Sequence, residues 1–203
     1  LAGVDLVFLG GGPDREQRLA SEDLMRMRDD LHAYVEDDGV LLAICGGFQI
    51  LGHEWLLGEE VVKGLGLVDM TTERAPGGSG NRLIGNIALR SPLADQAVVG
   101  YENHAGRTHL GTGVEAFGDV ASSTGHGNND SDKRDGVRYK NVVGTYLHGP
   151  LLPKNPQVAD ALLIRALERR ARRAGVPAPE LAPLDDAVEN AANEYVRNRL
   201  NAG

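Results

Sequence analysis

The chain has 203 residues, 41% of them hydrophobic and 25% charged. That is globular composition, and enough for one α/β domain with a core of its own. A net charge of -8 argues against general attraction to nucleic acid or anionic lipid, and one cysteine excludes an internal disulfide framework and a Cys-based zinc site. The expected partners therefore include no nucleic acid. No apolar run is long enough for a membrane span, no signal peptide opens the chain, and a lone cysteine suits the cytoplasm.

Residues 4–9 form a nearly continuous apolar run, as in a strand covered on both faces. The chain begins at Leu1 directly before it, so further residues are expected upstream. Gly10-Gly11-Gly12-Pro13 makes a tight turn. Leu24, Met27, Leu31, Tyr34 and Val35 recur at helical spacing within 16–37, and Gly39 closes that helix. A second apolar strand comes at 40–44, so the first two strands are expected to be parallel with a right-handed crossover. Cys45-Gly46-Gly47 then turns into a short helix from Phe48 to about Leu51.

The middle shows short strand signals at 65–72, 82–89, 97–102, 114–123 and 142–147, with mixed or antiparallel pairing expected. The Ser-, Asn- and Asp-rich stretch 122–135 reads as an exposed loop. Asn155-Pro156 reads as an N-cap with Pro at the first helical position, opening a helix with Val158, Leu162, Leu163, Ala166 and Leu167 inward. Arg165, Arg169, Arg170, Arg172 and Arg173 crowd its end, where solvated cations suit the helix dipole. A last helix from about Asp185 carries Val188, Ala191, Ala192, Tyr195 and Leu200 on one side.

A cysteine after an apolar strand is more often an inert small hydrophobe than a nucleophile. The neighbours of Cys45 change that reading. Strand, Cys, Gly-Gly and helix is the elbow that presents a nucleophile on a sharp turn. A helix N-terminus there favours the thiolate, and its free N–H groups can face an oxyanion.

Ala43-Ile44-Cys45-Gly46-Gly47-Phe48-Gln49 resembles the G-x-C-x-G-x-Q motif of class I glutamine amidotransferases, with Ala43 at the first Gly. The run to Gly52 is most similar to the cobyric acid synthase branch. Gly144-Thr145-Tyr146-Leu147-His148-Gly149-Pro150 resembles that branch's catalytic-histidine segment. Ordinary class I members carry Glu two residues after this His; here it is Pro150, so the pair is either a dyad or is completed by an acid from elsewhere. The blocks 10–17, 82–86, 100–108 and 149–156 narrow the resemblance to the GatD-type glutaminase subunits of bacterial lipid II isoglutaminyl synthases, whose chains begin with a further strand and helix.

This resemblance implies a flavodoxin-like, doubly wound, mainly parallel α/β sheet flanked by helices, as one amidotransferase domain over 1–203. It implies hydrolysis of L-glutamine to glutamate and ammonia. Cys45 is the nucleophile and His148 the base, with backbone N–H groups of Gly46 and Gly11 as the oxyanion hole. Arg82 is chosen for the substrate α-carboxylate, with Arg107 as competitor. Gln49 either reaches substrate or packs under the elbow. Asn103 and His104 look buried beside the site, without an assigned role, and no metal is expected at His104 and His109.

The implied partner is a MurT-type Mur ligase, in a heterodimer, that takes the ammonia and amidates D-glutamate of the lipid II stem peptide. ATP and magnesium belong to that partner, leaving no cofactor in this chain. Two other readings stand beside it: the amidotransferase of cobyric acid or cobyrinate synthesis, and a catalytically silent partner-binding subunit.

Overall fold

The computed structural model describes residues 1–12, 14–57, 60–75, 77 and 80–202. Pro13 in the expected turn lies outside them. The central sheet contains β1 (Leu6–Leu9), β2 (Val40–Ile44), β11 (Val137–Tyr139) and β12 (Val142–Thr145), in the order β1-β2-β12-β11. β1, β2 and β12 are parallel, and β11 returns antiparallel.

Strand alternation explains why β2 is apolar throughout. Leu41 and Ala43 enter one core, with Leu31, Tyr34, Val35, Phe48, Trp55 and Val142. Val40 and Leu42 enter the other, with Ile87, Val98, Val143, Val158 and Leu162.

The expected helix over 16–37 is two, α1 (Asp14–Arg26) and α2 (Arg28–Glu36), broken at Met27. Arg28 just past the break donates Nε to the Leu65 carbonyl at 2.7 Å, a tertiary hold that periodicity does not reveal. α3 (Gly46–Gln49) is a single turn.

The next sheet is one that the apolar pattern does not announce. Its order is β4-β3-β5-β8, from β3 (Glu54–Leu57), β4 (Glu60–Lys63), β5 (Met70–Arg74) and β8 (Gly106–Leu110). Of the expected strand 65–72 only its end is β5. Leu65 and Leu67 are core residues in a loop, with their N–H groups on the Ile50 and Leu51 carbonyls at 2.8 Å.

A third, antiparallel sheet has the order β10-β9-β6-β7, from β6 (Leu83–Arg90), β7 (Val98–His104), β9 (Gly118–Val120) and β10 (Arg134–Asp135). In its register Ile84 faces Asn103 and Asn86 faces Tyr101. "Mainly parallel" thus holds for the central sheet and not for the two outer ones.

Residues 122–135 correct another expectation. Ser122, Asn128, Asn129 and Asp135 are buried. Asn128 grips Gly136 through both ends of its amide, at 2.7 and 2.9 Å, and Asn129 Oδ1 accepts the Ser131 and Asp132 N–H groups at 3.0 Å. The polar composition satisfies backbone rather than water.

α4 (Leu151–Lys154) is a short turn ahead of α5 (Pro156–Ala174) and α6 (Ala187–Leu200). Asn155 makes no side-chain cap; its amide pairs with both Val99 N–H and Val99 carbonyl, like an added strand residue. On α5, Val158, Leu162 and Ala166 are buried as expected, but Leu163 is exposed. Arg169 turns inward, bonds Asp37 and the Val4 carbonyl, and stacks over Tyr34. On α6 the expected apolar side is wrong: Val188 and Tyr195 are exposed, and Asn193 is buried, donating to the Ala97 and Lys154 carbonyls at 3.0 Å. Among the described residues no helix is long and apolar enough to cross a membrane.

Candidate active site

The carboxyl ends of β1, β2 and β12 lie side by side, where open α/β sheets place their sites. Cys45 stands at the end of β2 with φ 55° and ψ -113°. A non-glycine residue held at positive φ stores backbone strain, of order 1–3 kcal/mol, and such strain gathers at functional positions. Its N–H is held by the Thr145 carbonyl at 2.9 Å, which ties the elbow to the neighbouring strand β12.

Two glycines let the turns close. A Cβ on Gly11 would lie 3.0 Å from Cys45 Cβ and 3.5 Å from Gly46 N, so the β1 turn rests directly on the elbow. A Cβ on Gly47 would meet the Leu9 carbonyl oxygen at 2.4 Å. The two expected oxyanion donors, Gly11 and Gly46, are therefore neighbours around Cys45.

Burial pushes the Cys45 thiol up; the Gly46 N–H and the charge of Arg82 pull it back, and burial prevails. The expected thiolate stabilisation by the helix is outweighed because α3 has only four residues and almost no macrodipole. The charge of Arg82 is among the groups that act on the thiol.

His148 comes after β12 and is half-buried. Its backbone bridges to Tyr101 of β7, its N–H reaching the Tyr101 carbonyl at 2.7 Å. Its Nδ1 lies 3.0 Å from the same carbonyl oxygen. A carbonyl only accepts, so Nδ1 carries the proton and Nε2 of the neutral ring keeps its lone pair. A main-chain carbonyl thus orients the imidazole. Glu102, the next residue on β7, points the other way: it is buried, accepts from His126 N–H, His126 Nδ1 and Gly127 N–H, and lies 3.9 Å from His104 Nε2.

The two candidate arginines separate clearly. Arg107 is 2% exposed and donates to Asp130 through Nε and Nη2 and to the Asn81 and Ala105 carbonyls through Nη1. That is a structural post. Arg82 is exposed and, among the described residues, is bonded along one edge, to Asn103.

Gln49 occupies the packed position. It is 6% exposed and donates Nε2 to Tyr146 Oη at 3.0 Å. Tyr146 Oη also meets Thr108 Oγ1 at 2.7 Å, and Thr108 meets Thr72 at 2.8 Å. His104 stacks flat on Tyr146, with ring centroids 3.5 Å apart, and Phe48 meets Tyr146 edge-on. Of this buried floor under the elbow, the sequence points to Gln49 and His104 beside the site, while Thr72, Thr108 and Tyr146 have no role assigned from sequence.

Asp135 belongs to the same support. Thr145 Oγ1 donates to its Oδ2 and in turn accepts the Leu147 N–H at 3.0 Å, just before His148. Among the described residues its Oδ1 has no hydrogen-bond partner, and burial first, with the charge of Glu102, raises its carboxyl to about 7. Among the described residues no group of three or more His, Cys, Asp or Glu could hold a metal.

Residues 1–156 match the CobB/CobQ-like glutamine amidotransferase domain. The chain belongs to this family. Two relatives are each a lipid II isoglutaminyl synthase (glutamine-hydrolyzing) subunit GatD. That of Staphylococcus aureus is 41% identical over 199 residues, 97% of this chain and 76% of the relative. That of Streptococcus pneumoniae is 39% identical over 167 residues, 82% of this chain and 62% of the relative. The cobyric acid synthase of Listeria welshimeri is 29% identical over 153 residues, 71% of this chain but 28% of that enzyme. Among solved structures, a glutamine amidotransferase (TM-score 0.55, 20% identity, covering 81% of this chain and 80% of that one) shares the fold. So does PurLQS from Thermotoga maritima (TM-score 0.58, 19% identity, 80% of each chain).

Proposed function

We propose that the chain is the glutamine-hydrolysing subunit of a lipid II isoglutaminyl synthase. The observation that carries the chemistry is Cys45, held at positive φ at the end of β2, beside the strand β12 that leads to His148, whose Nδ1 is turned to the Tyr101 carbonyl so that Nε2 keeps its lone pair. The similarity to the two GatD subunits, over 97% and 82% of the chain, supports the choice of acceptor over the cobyric acid branch.

Cys45 Sγ attacks the side-chain carbonyl carbon of L-glutamine as His148 Nε2 takes the thiol proton. The developing oxyanion meets the N–H groups of Gly46 and Gly11. His148 returns the proton to the departing ammonia as the C–N bond breaks, leaving a γ-glutamyl thioester. His148 then deprotonates a water that attacks the thioester, which releases glutamate and restores the thiol. Arg82 holds the substrate α-carboxylate. Gln49 supports the elbow from below.

The ammonia passes to a MurT-type Mur ligase bound in a heterodimer, which uses ATP and magnesium to amidate D-glutamate of lipid II. The subunit works in the cytoplasm. The test is glutamate release from L-glutamine, alone and with the co-expressed ligase. Cys45→Ala and His148→Ala should each lower it at least about a thousandfold. Unchanged ligase activity with glutamine as nitrogen donor after Cys45→Ala would instead identify a silent subunit.

A further inference from the structure

Arg82 lies immediately before β6, and β7 runs beside it. On β7, Glu102 and His104 face the interior, while Tyr101 and Asn103 are on the opposite, less buried face. Tyr101 gives its carbonyl to His148. Asn103 takes the guanidinium of Arg82 at two points: Nε–H donates to Asn103 Oδ1 at 2.8 Å, and Nη2–H donates to the Asn103 main-chain carbonyl at 2.8 Å.

Those two bonds use the side edge of the guanidinium fork. Among the described residues none bonds the end-on edge, formed by Nη1 and the second hydrogen of Nη2. A carboxylate pairs with such an edge through two parallel N–H···O bonds. An arginine on an exposed segment without this grip would sample many rotamers, and ordering it would weaken every binding event.

We infer that Asn103 is the positioning residue for glutamine recognition: it clamps one edge of Arg82 so that the other meets the substrate α-carboxylate. The inference rests on the glutaminase reading and on Arg82 as the carboxylate ligand. Asn103 itself touches neither substrate nor thiol. Its loss is therefore expected in substrate affinity rather than in the chemical step.

The experiment measures KM and kcat for glutamate release by the full-length protein with its co-expressed partner, in wild type, Arg82→Ala, Asn103→Leu, Asn103→Asp and the double variant Arg82→Ala/Asn103→Leu. Leu fills similar space but offers no acceptor to Nε–H; Asp keeps the acceptor. A hydrogen bond to a charged group is worth enough to shift affinity about tenfold or more. Asn103→Leu should raise KM about tenfold and change kcat by less than about threefold. Asn103→Asp should recover most of that loss, and the double variant should match Arg82→Ala, because Asn103 acts through Arg82.

A wild-type KM in Asn103→Leu, an effect on kcat alone, or a full additional loss in the double variant would overturn the inference. So would an Arg82→Ala variant with unchanged KM, which removes the carboxylate grip itself. A wild type that releases no glutamate fails earlier and marks the glutaminase reading as the error.

Discussion

Replacing Asp135 by Asn should stabilise the protein in alkaline solution and have little effect in acid. Asp135 is wholly buried, its Oδ1 has no hydrogen-bond partner among the described residues, and its carboxyl titrates at about 7 instead of the ordinary 3.8. A group whose folded pKa is raised contributes stability that is fully present below the unfolded value and lost as pH rises through the folded one. Each unit is worth about 1.36 kcal/mol, so the roughly two units between pH 5 and 7 amount to about 3 kcal/mol. Asn is isosteric and cannot ionise. It can still accept from Thr145, and its second polar atom occupies the place where Oδ1 already lacks a partner. The stability difference between Asp135→Asn and wild type should therefore move by about 3 kcal/mol in favour of the variant between about pH 5 and pH 8.5. In urea titrations that is a relative midpoint shift of roughly 1 M or more. Taking the difference cancels the titration of all other groups. Identical pH dependence of the two proteins would refute the argument, as would a variant that is weaker at alkaline pH.

Three further outcomes are expected. Alkylation of Cys45, the only thiol in the chain, should accelerate about tenfold per pH unit up to about pH 9, since burial holds the thiol above its ordinary value, and Arg82→Ala should slow it; a rate that levels off below about pH 8 would contradict the burial argument. Gly47→Ala forces a Cβ to within 2.4 Å of the Leu9 carbonyl oxygen, a backbone atom that cannot swing away. Overpacking of this kind costs about 3 kcal/mol and should lower the Tm by roughly 5–10 °C, and an unchanged Tm would show that β1 can retreat from the elbow. Arg107→Met removes the donors to Asp130 and two carbonyls. It should destabilise the protein by about 2–3 kcal/mol in chemical denaturation while leaving KM for glutamine unchanged, whereas a raised KM would return Arg107 to the substrate.

The parts read correctly from sequence are those whose signal is local. β2 announces itself because both its faces are covered, β1 as an apolar run although Phe8 is exposed on this edge strand, and the elbow because glycines follow Cys45 on a sharp turn. His148 is visible as a motif, but the group that orients it is not, because Tyr101 contributes a carbonyl that every residue possesses. The stretch 122–135 misleads for a related reason: Asn and Asp look alike whether they bond water or fold back onto the backbone, as Asn128 and Asn129 do. Arg169 reads as a solvated cation, and Arg107 as a competitor for the substrate carboxylate, until the Asp37 and Asp130 carboxylates and the carbonyls around them are placed in space. The hairpin of β3 and β4 is hidden because its apolar residues come in adjacent runs, Trp55-Leu56-Leu57 and Val61-Val62, without clean alternation.

β7 carries the orienting carbonyl for His148 and the clamp on Arg82 two residues apart. Sliding this strand by a single residue against β6 would turn both away together and bring the acidic Glu102 to the open side. The proposed base and the proposed substrate grip therefore share one mode of failure. Binding of Glu102 by the loop at His126 and Gly127 resists that slide, so this loop steadies both β7 contacts, with His148 and with Arg82, at once. Damage to that loop would be felt as an all-or-none loss of turnover, not as a graded decline in affinity.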